Sequence, residues 1–139
     1  MPPVANPFVG TWTLNLDRSR FDTNHNPRGG TMRFEADDNG RILMTAEGIS
    51  EKGERFSERP VEFVPDGHDY PVPGFPGLVA KAMLPSPGTI RTECRRQDGS
   101  IVGQGTYAVS ADGRSLTATT SGWDSQLRQF EVTTVWDRA

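Results

Sequence analysis

Residues 101–121 read Ile-Val-Gly-Gln-Gly-Thr-Tyr-Ala-Val-Ser-Ala-Asp-Gly-Arg-Ser-Leu-Thr-Ala-Thr-Thr-Ser. Two stretches of strand composition, Ile101 to Ser110 and Ser115 to Ser121, flank the pair Asp112-Gly113. Asp before Gly tolerates the positive φ angles of a type I′ turn, whose twist matches that of the flanking strands, so the stretch predicts a β-hairpin. The signal recurs at Asn39-Gly40, Lys52-Gly53, Asp66-Gly67 and Asp98-Gly99. Between the turns lie Gly10 to Leu16, Thr31 to Ala36, Arg41 to Gly48, Glu54 to Val64, Gly77 to Leu84, Thr89 to Gln97 and Leu127 to Arg138. With the opening pair these predict about nine strands.

Alternation supports the assignment. Trp12, Leu14 and Leu16 share one strand face, as do Phe130, Val132, Thr134 and Trp136, because successive side chains point to opposite sides of a sheet. Pro, Gly, Thr and Val interrupt every window in which helical spacing would have to develop. The expected fold is all-β, an antiparallel up-and-down barrel of about 8–10 strands, since closure removes the two exposed edges of an open sheet. Asp17 to Gly30 and the Pro-rich Pro71 to Pro76 read as loops, the latter stiff enough to cross a barrel end.

The chain has 139 residues, the size of one domain spanning 1–139, with 34% hydrophobic and 24% charged residues, a balance expected of a globular chain. Net charge is −3 and no segment concentrates Lys and Arg, which argues against a nucleic-acid partner. Cys94 is the only cysteine, so no disulfide forms within the chain. His25 and His68 are the only histidines and neither sits in a ligand spacing, so no metal is expected. No phosphate-cradling glycine motif is present, and no cofactor is expected. Met1 to Phe8 lacks a basic and an apolar region, and no apolar run is long enough to span a membrane. The expectation is a cytoplasmic location for the sequence as it stands, with export after loss of a leader as the alternative. A monomer or small homo-oligomer is expected.

Asn6-Pro7-Phe8-Val9-Gly10-Thr11-Trp12-Thr13-Leu14-Asn15 resembles the first strand of calycins, where Gly-x-Trp opens the barrel of lipocalins and fatty-acid-binding proteins. Asn15 to Phe21, Gly67 to Val72 and Ser110 to Thr117 resemble a largely uncharacterised bacterial lipocalin-like family whose members are often exported. The resemblance implies that Trp12 packs across the closed barrel end beneath a basic residue of the last strand, here Arg138. It does not imply an activity, because calycins include carriers, inhibitors and unrelated enzymes. Two features depart from fatty-acid-binding proteins. Asp17 to Gly30 is too short for their two-helix lid, and Thr134-Val135-Trp136 stands where their carboxylate-binding Arg-x-Tyr would be.

Proteins of this shape use the lumen or its mouth. If Ile90 faces the core, Thr92, Cys94 and Arg96 share its face, and Tyr107 is in register with Ile101 and Val109. The ordinary readings are an inert core thiol for Cys94 and a rim charge for Arg96. Arg96, two residues on, is the one feature that would activate the thiol. His68-Asp69-Tyr70 is the densest titratable cluster and the candidate acid–base group, against the alternative of a solvated loop histidine. His25 approaches the same opening in this reading, and Phe75 supplies an apolar lip. The expected function is binding of a small, partly apolar molecule in the lumen. Its rivals are a cofactor-independent lyase, isomerase or hydratase using His68, Tyr70 and Asp69, and a surface protein whose lumen is filled by side chains.

Overall fold

The structure, a computed structural model, describes residues 6–21, 27–58, 60–72, 74–123 and 128–139. Its strands are β1 (Gly10–Arg20), β2 (Gly29–Ala36), β3 (Ile42–Ile49), β4 (Arg55–Ser57), β5 (Val61–Phe63), β6 (Asp69–Pro71), β7 (Leu78–Ser86), β8 (Thr89–Arg96), β9 (Ile101–Val109), β10 (Ser115–Trp123) and β11 (Gln129–Arg138). Among the described residues there is no helix, and hence none long and apolar enough to cross a membrane. All the strands belong to one antiparallel sheet in the order β4-β3-β2-β1-β11-β10-β9-β8-β7-β6, with β5 also pairing with β3.

The all-β expectation holds, with eleven strands instead of eight to ten. Glu54 to Val64 is broken in two. Arg55–Ser57 pairs with Glu47–Ile49, Val61–Phe63 pairs with Ile42–Met44, and Pro60, which has no amide proton to donate, lies between them. Asp69–Pro71 adds a short strand on Val79–Lys81. Pro71 thus closes β6, and Val72 N–H donating to Leu78 O (3.1 Å) leads the chain into the hairpin connection between β6 and β7. The expected loop from Asp17 also shrinks, because β1 continues to Arg20 past a bulge between Asn15 and Arg20. There the Ser19 hydroxyl accepts from Val135 N–H (2.8 Å) and donates to Asn15 O (2.6 Å), replacing ladder bonds.

The turn signals place hairpins correctly at four of the five pairs but with different geometry. At Arg96–Ser100, Arg96 N–H donates to Ser100 O (2.9 Å) and Gly99 N–H to Arg96 O (3.0 Å), leaving a three-residue loop. Gly99 has φ +89°, and Asp98 accepts from Ser100 N–H (2.8 Å). Asp37–Arg41 and Ser50–Glu54 repeat the backbone pattern, and Ser110–Ser115 is one residue longer. A three-residue loop ending on a left-handed Gly suits the same dipeptides as the two-residue turn, so the sequence does not distinguish them. Asp66-Gly67 is no hairpin. It connects β5, which pairs with β3, to β6, which pairs with β7, and Gly67 N–H is bonded to Ala82 O (3.0 Å).

The sheet curls round its apolar face. Four strand spacings separate β2 from β9 in the order, roughly 19 Å if the sheet were flat. Yet Phe34 on β2 and Tyr107 on β9 have ring centroids 6.4 Å apart, and Phe63 on β5 lies 5.6 Å from Tyr107. Phe8, Trp12, Phe34, Ile42, Ile90 and Leu116 are fully buried and form the centre of the core.

One end of the barrel is shut by the arrangement expected for Trp12. Its indole N–H donates to Phe8 O (2.9 Å), and the Arg138 guanidinium lies 4.2 Å above the ring. That guanidinium also donates to the carbonyls of Pro7 (2.7 Å), Val9 (2.9 Å) and Gly113 (2.7 Å). Gly10 has φ +134°, and a Cβ there would sit 2.7 Å from Arg138 Nη1, so the Gly of Gly-x-Trp leaves the room that the arginine occupies.

Candidate functional site

Register partners share a sheet face, which arranges the inner wall of β7 to β11 in rows. Trp136 lies beside Leu116 and Val109, and Thr134 beside Ala118, Tyr107 and Ile90. Next come Val132, Thr120, Gly105, Thr92 and Ala82. The last row is Phe130, Gly122, Gly103, Cys94, Ala80 and Tyr70.

Beyond the packed end the barrel encloses a cavity of about 720 Å³. Its apolar walls come from Leu14, Met32, Met44, Phe130, Val132 and Trp136, and its polar wall groups from Tyr107, Thr120 and Thr134. Thr134 is already engaged, accepting from the Trp136 indole N–H (2.8 Å). The mouth is formed by the exposed Glu51, Lys52, Glu54 and Glu58, and by Phe56, with Glu47 contributing backbone. Phe56 lies opposite Gly48, where a Cβ would come within 2.5 Å of its ring, so the absence of a side chain at Gly48 allows the phenyl group to lie across the opening.

Tyr107 is the wall residue with chemistry. Its ring is held between Phe34 and Phe63, and its hydroxyl makes no hydrogen bond among the described residues. Burial, with a smaller contribution from the Glu58 carboxylate, pushes its phenol up to about 12. It therefore remains a neutral donor across the physiological range.

Of the other candidates, Thr92 and Cys94 face inward on β8 but do not line this cavity. Thr92 donates weakly to Gly105 O (3.4 Å) and burial pushes the Cys94 thiol up, which lowers its nucleophilic fraction at neutral pH. Arg96 is exposed at the end of β8 and reaches Ser100 Oγ (3.5 Å), turned away from Cys94 toward its own hairpin. Phe75 is 57% exposed in the β6–β7 hairpin. His68 is exposed beside Asp66, which accepts its backbone N–H (2.9 Å). Tyr70 donates its hydroxyl to Asp66, a bond that raises the phenol and lowers the carboxyl. Asp69 accepts from Arg95 on the outer face, where Lys81 and Glu93 also pair (3.8 Å). The structure thus brings Tyr70 to Asp66 and Asp69 to Arg95, in separate interactions. His25 lies outside the described residues. Among the described residues no group of three or more His, Cys, Asp or Glu is placed to hold a metal ion.

Sequence reasoning named Tyr107, which lines the cavity, but none of the residues at the mouth. The β3–β4 turn with its flanking glutamates reads as an ordinary solvated hairpin. The one local cue was the absence of side chains at Gly30 and Gly48 in otherwise strand-like segments, a sign of close approach by another group.

No family model and no curated protein sequence matches the chain. Solved structures do. The fluorescent protein UnaG superposes with a TM-score of 0.65 at 14% identity, covering 95% of this chain and 97% of that one. Zebrafish ileal bile acid-binding protein complexed with cholic acid gives 0.55 at 10%, covering 96% and 99%. As-p18, an extracellular fatty acid binding protein, gives 0.52 at 12%, covering 96% and 97%. The fold is that of the lipocalin and fatty-acid-binding-protein barrels. At these identities the likeness concerns the fold alone, and the departures noted in the sequence remain: no helix lies among the described residues, and Val135 and Trp136 occupy the last strand.

Proposed function

We propose that this protein binds a small, partly apolar molecule inside the barrel. The observation that carries the reading is the cavity of about 720 Å³ with apolar walls and a tyrosine hydroxyl that makes no hydrogen bond among the described residues. Ligand sites are commonly about 300–1,000 Å³, mostly apolar, with few polar groups that orient the guest. That neighbours of the same fold carry names such as fatty acid binding protein and a complex with cholic acid supports it further. In this reading the ligand lies against Met32, Met44, Phe130 and Val132 and accepts a hydrogen bond from Tyr107, with Phe56 covering the mouth.

The test is titration with N-phenyl-naphthylamine, a neutral apolar fluorophore that brightens on leaving water. Saturable brightening is expected. Thr120→Trp, which fills the cavity from its wall, should abolish it while circular dichroism still shows the β spectrum. Val132→Trp fills the same space from the neighbouring strand and serves if the first variant does not fold. Absence of binding, or undiminished binding by a folded cavity-filled variant, would refute the proposal.

A further inference from the structure

We infer that the cavity selects amphiphiles with a neutral or cationic head and rejects carboxylates. The inference rests on the binding proposal and deepens it. Its ground is the charge of the mouth: Glu51, Glu54 and Glu58 line it, with Lys52 as the cation among them. Arg28 stands nearby, outside the lining, where a Cβ on Gly53 would be 3.7 Å from its Nη1. Carboxylates thus outnumber cations at the entrance among the described residues.

A second, independent observation lies inside. The deepest polar group is a neutral phenol that makes no hydrogen bond among the described residues, and among these no arginine or lysine other than Lys52 lines the cavity. A carboxylate drawn into this space would lose its hydration shell and find only neutral hydroxyls, those of Tyr107, Thr120 and Thr134, whereas an anion in a low-dielectric site needs a full charge partner. The field of the mouth acts in the same sense and reaches inward, since the Glu58 carboxylate already disfavours ionisation of Tyr107. An entering anion meets that field with an apolar wall behind it, where screening by water is weak. An ammonium head left at the mouth, with its chain on the apolar walls, is attracted by the same carboxylates. An alcohol or carbonyl head reaching the deep end accepts from Tyr107 without a charge to neutralise.

The experiment is displacement of N-phenyl-naphthylamine by three ligands of one chain length: dodecylamine, dodecanol and laurate, at low ionic strength and neutral pH. Dodecylamine should displace at a concentration about tenfold lower than laurate, with dodecanol between them, the margin expected when several partly screened charges act together. In Glu51→Gln/Glu54→Gln/Glu58→Gln, whose substitutions are all at exposed positions, the amine-to-laurate ratio should fall toward one, each ligand being read relative to dodecanol on the same protein. Laurate competing as well as dodecylamine, or a ratio that survives the triple substitution, would overturn the inference. Failure of the fluorophore and of dodecanol to bind would instead remove the binding proposal beneath it.

Discussion

Trp12→Ala tests how the closed end of the barrel is held. The indole is fully buried, donates to Phe8 O at 2.9 Å and carries the Arg138 guanidinium at 4.2 Å. Truncating a buried aromatic costs about 3–5 kcal/mol, and loss of the cation–π contact adds about 0.5–2 kcal/mol. The Phe8 carbonyl also loses its indole donor. These contributions overlap, so the expected loss is about 4–6 kcal/mol, comparable with the about 5–15 kcal/mol that holds a small domain together. With a urea dependence of about 2 kcal/mol/M, the middle of the usual range for small proteins, the unfolding midpoint should drop by roughly 2–3 M. The assay is urea unfolding followed by far-ultraviolet circular dichroism. Trp123→Ala provides the control, because Trp123 is 46% exposed and its loss should shift stability by less than about 0.5 kcal/mol. Arg138→Met, which keeps the stem and removes the donors to Pro7, Val9 and Gly113, should fall between the two. Equal midpoints for Trp12→Ala and Trp123→Ala would refute the argument.

Tyr107 makes stability fall in alkali. Its phenol is raised to about 12 in the folded protein, so between the unfolded value and that one the folded chain holds a proton the unfolded chain has lost. The stabilisation is complete below about pH 10 and disappears as pH rises through the folded value, a loss of about 2–3 kcal/mol. Urea midpoints of Tyr107→Phe should decline less over that window, and parallel decline of the two proteins would contradict the assignment. Cys94, raised by burial, should react with iodoacetamide at least about tenfold more slowly in the folded protein than in urea at the same pH. Equal rates would show the thiol to be open to solvent.

The fold was legible because its signals are local. Hairpin dipeptides mark where the chain reverses, and strict alternation in Trp12-Thr13-Leu14 and from Phe130 to Trp136 gives each strand an inner face. The clamp was legible through the resemblance of Gly10-Thr11-Trp12 to the first strand of calycins, and the structure supplies its physical basis, with the space at Gly10 holding the Arg138 guanidinium over the Trp12 ring. The site was legible only in part. Alternation assigns Thr92, Cys94 and Tyr107 to the inner wall, but not which length of that wall is packed and which faces empty space. That depends on what stands across the barrel. Tyr107 reaches the cavity because Phe34 and Phe63, far away in sequence, hold its ring and leave its hydroxyl free, and no feature of residues 101–109 records them. The cluster His68-Asp69-Tyr70 is dense in sequence but separated in the structure. Adjacent residues on a strand face opposite ways, so the pairing of β6 with β7 turns Asp69 outward toward Arg95 and places Tyr70 in the inner row with Ala80 and Cys94. Density of titratable groups along a strand thus works against their convergence, and convergence in a barrel comes from residues two apart on one strand or opposite one another on neighbouring strands.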